Sequence, residues 1–83
     1  ITGGNGGLGL AMARGLARAG AHVSILARNA DKNAAAVETL RGLGDGDVIA
    51  LTCDVTEDDD VASAIERTLG AFGRIDVCFA NAG

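Results

Sequence analysis

Segments with the apolar spacing of a helix alternate along this chain with short apolar runs that are typical of buried strands. Apolar residues recur every four positions in residues 7–19, and further helices are predicted at 30–43 and 57–70. The strand-like runs occupy residues 22–27, 48–53 and 75–80. Strands that alternate with helices of ten or more residues are joined by crossovers and form a parallel sheet. The sequence therefore predicts an α/β fold with a doubly wound parallel sheet.

Residues with capping or turn preferences mark the ends of these predicted helices. Gly20 and Gly44 are expected to end the first and second helices, because glycine readily adopts the left-handed conformation that often follows a helix. Asn29 is expected to cap the start of the second helix. The Thr56 hydroxyl is expected to cap the third helix, whose first turn is acidic.

The charge and composition of the chain exclude several classes of protein. Its 83 residues include 7 basic and 11 acidic side chains, a formal charge of −4, so it lacks the basic face of a nucleic-acid binder. No apolar run approaches the roughly 20 residues that span a membrane. Two cysteines cannot build a disulfide framework or a four-ligand zinc site. We expect no nucleic-acid or membrane partner, and a cytoplasmic protein in which Cys53 and Cys78 are small core residues.

The chain enters a glycine-rich turn directly after Ile1 and stops just after its last apolar run. The first strand of the predicted sheet is therefore largely missing, and a single core is marginal at this length. We expect the chain to be part of a larger protein. We also expect the isolated 83 residues to fold poorly and to aggregate, because backbone edges of the sheet stay unpaired.

The turn at residues 2–9, TGGNGGLG, carries the strongest indication of function. Such a turn between a strand and a helix leaves the first N–H groups of the helix exposed, where the helix dipole favours an anion. Without Cβ atoms a pyrophosphate can approach the backbone, and Gly9 can bring the helix close to the sheet. The pattern G-x-G-x-x-G fits at Gly4, Gly6 and Gly9, but this match alone is weak in a chain with 13 glycines. A turn that serves only tight packing is the alternative.

A second spacing in this turn is more specific. The pattern T-G-x-x-x-G-x-G is met by Thr2, Gly3, Gly7 and Gly9. With two further matches it resembles the short-chain dehydrogenase/reductase family. Asp54-Val55 follows a predicted strand, where the family has an aspartate that binds adenine, and residues 81–83 resemble the family's N-A-G segment, although Ala80 replaces a preceding Asn. The resemblance implies a Rossmann-like fold, with residues 1–83 as the N-terminal part of one dinucleotide-binding domain.

The resemblance also implies a set of cofactor-binding residues. They are Gly3, Asn5, Gly7, Leu8 and Gly9 in the turn, together with Arg28, Asp54, Val55, Asn81, Ala82 and Gly83. Asp54 is expected at the carboxyl end of a parallel strand, where ligands bind in doubly wound sheets, and its carboxylate can accept a hydrogen bond from adenine. The alternative is a loop aspartate that caps the following helix. Asn81 can approach the nicotinamide ribose or tie neighbouring strands together.

The residues after the strand that ends at Ala27 favour NADP over NAD. An Asp or Glu there usually binds the 2′-hydroxyl of NAD, whereas this chain continues with Arg28. The guanidinium can bind a 2′-phosphate through charge-assisted hydrogen bonds, and an arginine at this place resembles the NADP-preferring members of the family. The second basic residue of such members, just before Gly7, is replaced here by Gly6. The alternative for Arg28 is a solvated side chain paired with Asp31.

The resemblance further implies an oxidoreductase, homo-oligomeric as a whole, that transfers a hydride between NADP(H) and a small carbonyl or alcohol substrate. The family's catalytic Tyr and Lys have no counterpart here, since the chain lacks Tyr and its single lysine, Lys32, lies in the predicted second helix. The catalytic residues are therefore expected beyond Gly83, and the isolated chain is expected to show no turnover. Two alternatives are a non-catalytic dinucleotide sensor or scaffold, and a methyltransferase, against which Arg28 argues.

Overall fold

Two parallel strands form the centre of the structure, with helices before, between and after them. The computed structural model describes residues 1–81. Its elements in chain order are α1 (Gly7–Arg18), β1 (Val23–Ala27), α2 (Ala30–Leu40), β2 (Val48–Thr52) and α3 (Asp58–Phe72). The two strands pair in parallel, with Val23 opposite Val48 and Ala27 opposite Thr52, so α2 forms the crossover between them.

Helices cover both faces of this sheet, because successive side chains of a strand point to opposite faces. On one face, Val23 and Ile25 of β1 are buried together with alanines of α1 and with Leu40 of α2. On the other face, Leu51 and Cys53 at the second strand are buried against α3. The predicted α/β fold with a doubly wound parallel sheet is confirmed.

Residues 1–3 lie in the sheet beside β1 and continue its parallel pattern. The Leu26 N–H donates to the Ile1 carbonyl at 3.0 Å, and the Gly3 N–H donates to the Leu26 carbonyl at 2.9 Å. On its other side, Thr2 donates its N–H to the Phe79 carbonyl at 3.0 Å and forms a parallel bridge with Ala80. The glycine turn is therefore anchored between β1 and the last part of the chain.

The predicted strand at 75–80 is present only as this single bridge at Ala80. A ladder needs successive partners on the neighbouring strand. Within residues 1–81 this segment has a single bridge partner, Thr2, which is too few for a ladder. The prediction of a regular strand was therefore wrong.

The second helix begins as predicted and ends earlier than predicted. The Asn29 side chain accepts a hydrogen bond from the Lys32 N–H at 3.0 Å, so the predicted cap is confirmed. The helix ends at Leu40, because Arg41 is extended and Gly42 then takes a positive φ of 84°. Gly44 does not terminate the helix but packs against α1, where a Cβ would clash with the carbonyl oxygen of Ala17.

The third helix differs from its prediction at both ends. Its N-cap is Glu57 and makes no side-chain capping bond, so the expected Thr56 cap was wrong. The Thr56 hydroxyl instead donates to Asp54 Oδ1 at 2.6 Å. The helix continues past Gly70 and ends where Gly73 adopts the left-handed conformation, with φ of 83°.

The two cysteines occupy different environments. Cys53 is 1% exposed, as expected of a small core residue, and burial is the main reason that its thiol pKa is raised. Cys78 is exposed, so its expected place in the core was wrong. It belongs to the segment that is bridged only at Ala80, and no element within residues 1–81 covers this segment.

None of the helices within residues 1–81 is long and apolar enough to cross a membrane.

Candidate functional site

The glycine turn brings the chain out of the sheet and into α1 with little side-chain volume. Gly3 and Gly7 have positive φ angles of 66° and 52°, which side chains rarely tolerate. Gly6 is the N-cap of α1 and carries no capping side chain, and the first turn of the helix contains no acidic residue. The positive end of the helix dipole is therefore left to the backbone N–H groups, the arrangement that favours an anion.

Gly9 packs α1 against the turn at closer range than a side chain would allow. A Cβ there would clash with the Gly3 carbonyl oxygen and would stand 2.7 Å from Asn81 Nδ2. Asn81 itself donates its backbone N–H to Thr2 Oγ1 at 2.9 Å and its side-chain amide to the Gly3 carbonyl at 3.5 Å. The structure thus gives Asn81 the strand-tying contacts that were one of its two predicted roles.

Asn33 is a site residue that sequence reasoning missed. It is only 4% exposed; it donates to the Ala27 carbonyl at 2.9 Å and accepts from Asn5 Nδ2 at 3.0 Å. It thereby ties the glycine turn to the carboxyl end of β1. A signal was present, because Asn33 shares the buried face of α2 with Ala36 and Leu40, and a buried polar side chain needs partners.

A pocket of about 220 Å³ opens at the carboxyl ends of the two strands. It is lined by Gly3, Leu26, Ala27, Arg28, Cys53, Asp54, Val55 and Thr56. Four residues from the predicted cofactor set therefore lie around one space, although they come from three separate parts of the chain. This is the edge at which parallel α/β sheets bind ligands.

Asp54 is the acidic group of this pocket. Its Oδ1 accepts the Thr56 hydroxyl at 2.6 Å and the Thr56 N–H at 2.9 Å. These two bonds hold the carboxyl pKa below its ordinary value, and the bond from the hydroxyl has the larger effect. Partial burial of Asp54 opposes this lowering of the pKa, whereas the charge of Arg28 adds to it. Asp54 is thus ionised at neutral pH and acts as an acceptor, and its Oδ2 accepts no hydrogen bond from residues 1–81.

The remaining predicted residues are placed as follows. Arg28 is exposed and forms no ion pair with Asp31 or any other acid in the described part of the chain. Leu8 is 70% exposed at the start of α1, an unusual position for a large apolar side chain. Ala82 and Gly83 lie outside the described residues.

A larger cleft of about 700 Å³ lies elsewhere, between β1, α3 and residues 74–79. Apolar side chains such as Leu26, Ile65 and Phe72 contribute to its wall, and none of the predicted cofactor-binding residues within residues 1–81 does. Its size alone therefore does not make it the candidate site. The smaller pocket is the one that brings together the predicted residues Arg28 and Asp54 with the backbone of Gly3.

Comparison with known proteins agrees with this geometry. A family model described as short chain dehydrogenase matches residues 1–83. The chain is 39% identical over its whole length to 11-beta-hydroxysteroid dehydrogenase-like 2 of Arabidopsis thaliana, covering 27% of that protein. Its structure is similar to that of L-sorbose reductase from Gluconobacter frateurii complexed with NADPH and L-sorbose, with a TM-score of 0.94, 35% identity and coverage of 100% of this chain and 32% of the other.

A further similar structure is NAD⁺-bound xylitol dehydrogenase, with a TM-score of 0.93 and 34% identity; the match covers 99% of this chain and 31% of that one. The chain therefore spans 27% to 32% of the length of these relatives.

Proposed function

Since this chain belongs to the short-chain dehydrogenase family, we propose that it is the cofactor-binding part of an NADP(H)-dependent oxidoreductase acting on a carbonyl or alcohol substrate. The observation that carries the proposal is the pocket at the carboxyl ends of β1 and β2. There Arg28 and Asp54 face the same space as the backbone of Gly3.

The residues present fit a dinucleotide. Gly9 lets α1 pack closely on the Gly3 backbone, and the backbone N–H groups at the uncapped start of α1 suit a pyrophosphate. The ionised Asp54 carboxylate, with Oδ1 already occupied by Thr56, offers its second oxygen to the exocyclic amine of adenine. When bound, the nicotinamide ring supplies or accepts the hydride.

The preference for NADP rests on the end of β1. Ala27 and Arg28 place no carboxylate where NAD enzymes usually bind the ribose 2′-hydroxyl. Arg28, which has no ion-pair partner among residues 1–81, offers a planar fork of donors to a 2′-phosphate. The similar solved structures include both an NADPH complex and an NAD⁺ complex, so the choice depends on such local residues.

Replacement of the Arg28 guanidinium tests this proposal. In the full-length protein, we expect Arg28→Gln to weaken NADPH binding about 10- to 100-fold, because hydrogen bonds to charged groups contribute about 1.5–3 kcal/mol. NADH binding should change less than about twofold. The measurement is the dissociation constant of each cofactor by isothermal titration calorimetry.

Arg41→Gln is the matched control for that experiment. Arg41 follows the far end of α2, is exposed and pairs with Glu38 at 3.5 Å, so its loss removes one positive charge away from the pocket. Equal affinity of the wild type for NADPH and NADH, or equal weakening of NADPH binding by both variants, would contradict the proposed preference. A wild type that binds neither cofactor would overturn the proposed function itself.

A further inference from the structure

The side chain of Lys32 crosses from α2 to the glycine turn. Its Nζ lies 3.5 Å and its Cε 3.8 Å from the place where a Cβ of Gly6 would stand. Gly6 is the N-cap of α1. The ammonium group therefore occupies the space above the turn that a side chain at Gly6 would enter, and it brings a positive charge there from another element.

The backbone that carries Lys32 is held firmly against the turn. The Lys32 N–H donates to the Asn29 side chain at 3.0 Å, which fixes the first turn of α2. The next residue, Asn33, is buried and bonds both Asn5 of the turn and the Ala27 carbonyl. These three hydrogen bonds determine where the Lys32 side chain starts and leave the turn within its reach.

Two positively charged side chains near the glycine turn, Lys32 and Arg28, lack an ion-pair partner among residues 1–81. Lys32 lies beside the start of α1, whose first turn contains no acid, and Arg28 follows β1 only four residues earlier. Within residues 1–81 neither cation forms an ion pair. Two acids are close to these cations. Asp31 precedes Lys32 in the sequence, and the charge of Arg28 helps to lower the pKa of the Asp54 carboxyl. An anion bound beside the glycine turn would be attracted by both side chains.

A 2′-phosphate suits this place by its charge. It carries close to two negative charges at neutral pH, of which one guanidinium can neutralise one. We propose that Lys32 is the second cation of the 2′-phosphate site, reaching over Gly6 to bind the phosphate together with Arg28. This inference rests on the proposed function, and it makes Lys32 a residue that determines cofactor specificity.

The test is the substitution Lys32→Gln in the full-length protein, with dissociation constants for NADPH and NADH measured by calorimetry. We expect NADPH binding to weaken about tenfold and NADH binding to change less than about twofold, because only NADPH carries the 2′-phosphate. The affinity for 2′,5′-ADP should fall in parallel, whereas that for 5′-AMP should not. Lys32→Arg, which keeps the charge, should retain most of the affinity, and circular dichroism checks that each variant is folded.

The outcomes separate this inference from the proposed function. If the wild type prefers NADPH and Arg28→Gln abolishes that preference while Lys32→Gln leaves it unchanged, the role of Lys32 is wrong and the proposed function stands. Equal weakening of NADPH and NADH would place Lys32 on the pyrophosphate and also overturn the inference. A wild type without affinity for either cofactor would overturn both.

Discussion

At the scale of single residues, Gly9 and Gly15 show that two glycines of one helix can have different reasons to be there. A Cβ on Gly9 would clash with the Gly3 carbonyl oxygen, whereas a Cβ on Gly15 would meet no atom of residues 1–81 within 4 Å apart from its neighbours and the nearby backbone of its own helix. The missing side chain at Gly9 therefore permits the close approach of α1 to the turn. Gly15 has no comparable steric role in the described part of the chain.

We expect Gly9→Ala to lower the free energy of unfolding by about 2 kcal/mol or more, because backbone on both sides of the contact must move, and to weaken NADPH binding. Gly15→Ala is the matched control and should raise stability by about 0.5–1 kcal/mol through helix propensity. Urea denaturation of the full-length protein measures both effects. Similar stability of the two variants would contradict the close contact.

At the scale of elements, α3 is joined to the sheet by a pair of hydroxyl groups. Thr68 Oγ1 donates to the Ala64 carbonyl at 2.8 Å within the helix, so its contact of 2.9 Å with Ser24 Oγ leaves Ser24 as the donor. Thr68 is buried, while Ile65 and Leu69 of the same helix remain 44% and 41% exposed. The hydroxyl pair is thus a specific link on a face with limited apolar contact.

Thr68→Val tests this link. It preserves shape but leaves the Ser24 hydroxyl without its acceptor, and we expect a loss of about 1–2 kcal/mol in the free energy of unfolding. Thr39→Val is the matched control, because Thr39 makes the same kind of bond within α2, to the Ala35 carbonyl at 3.1 Å, but is exposed. The control should be close to neutral. Equal effects of the two substitutions in urea denaturation would show that the link to β1 contributes nothing.

At the scale of the whole molecule, the described chain leaves a large apolar cleft beside its sheet. The cleft of about 700 Å³ is bordered by residues 74–79, of which Ile75 and Val77 are 43% and 65% exposed. Within residues 1–81, the chain after α3 forms its one bridge just beyond this segment, between Ala80 and Thr2. Exposed apolar surface and unpaired backbone at one place both oppose independent folding.

The reactivity of the Cys53 thiol measures whether the isolated chain folds. In the Cys78→Ser variant of the isolated 83-residue chain, Cys53 is the remaining thiol. We expect it to react with a disulfide reagent as fast in buffer as in denaturant, although it is 1% exposed in the structure. In the full-length protein with the same substitution it should react slowly, because burial both shields the sulfur and raises its pKa. Protection of Cys53 in the isolated chain would show that these residues fold alone.

Much of the fold and part of the site could be predicted from local patterns. The periods of apolar residues are local signals, so α1, both strands and the cap at Asn29 agree with prediction to within a few residues. The pocket contains Arg28 and Asp54 as the sequence suggested, because the carboxyl ends of parallel strands meet at one edge. Their role in binding a cofactor stays a prediction.

The rest depends on which distant residues the fold brings together. Thr56 is a good helix cap by sequence, but its hydroxyl meets the stronger acceptor of Asp54. The partner of Asn5 is Asn33, 28 positions away, and the reach of Lys32 to Gly6 exists only once α2 lies beside the turn. By itself, then, the order of residues determined most of the elements and the candidate edge of the sheet, since these follow from short-range periodicity. Tertiary structure alone decided which polar groups share a hydrogen bond or a charge, because each such group meets its partner only after the sheet and helices have packed.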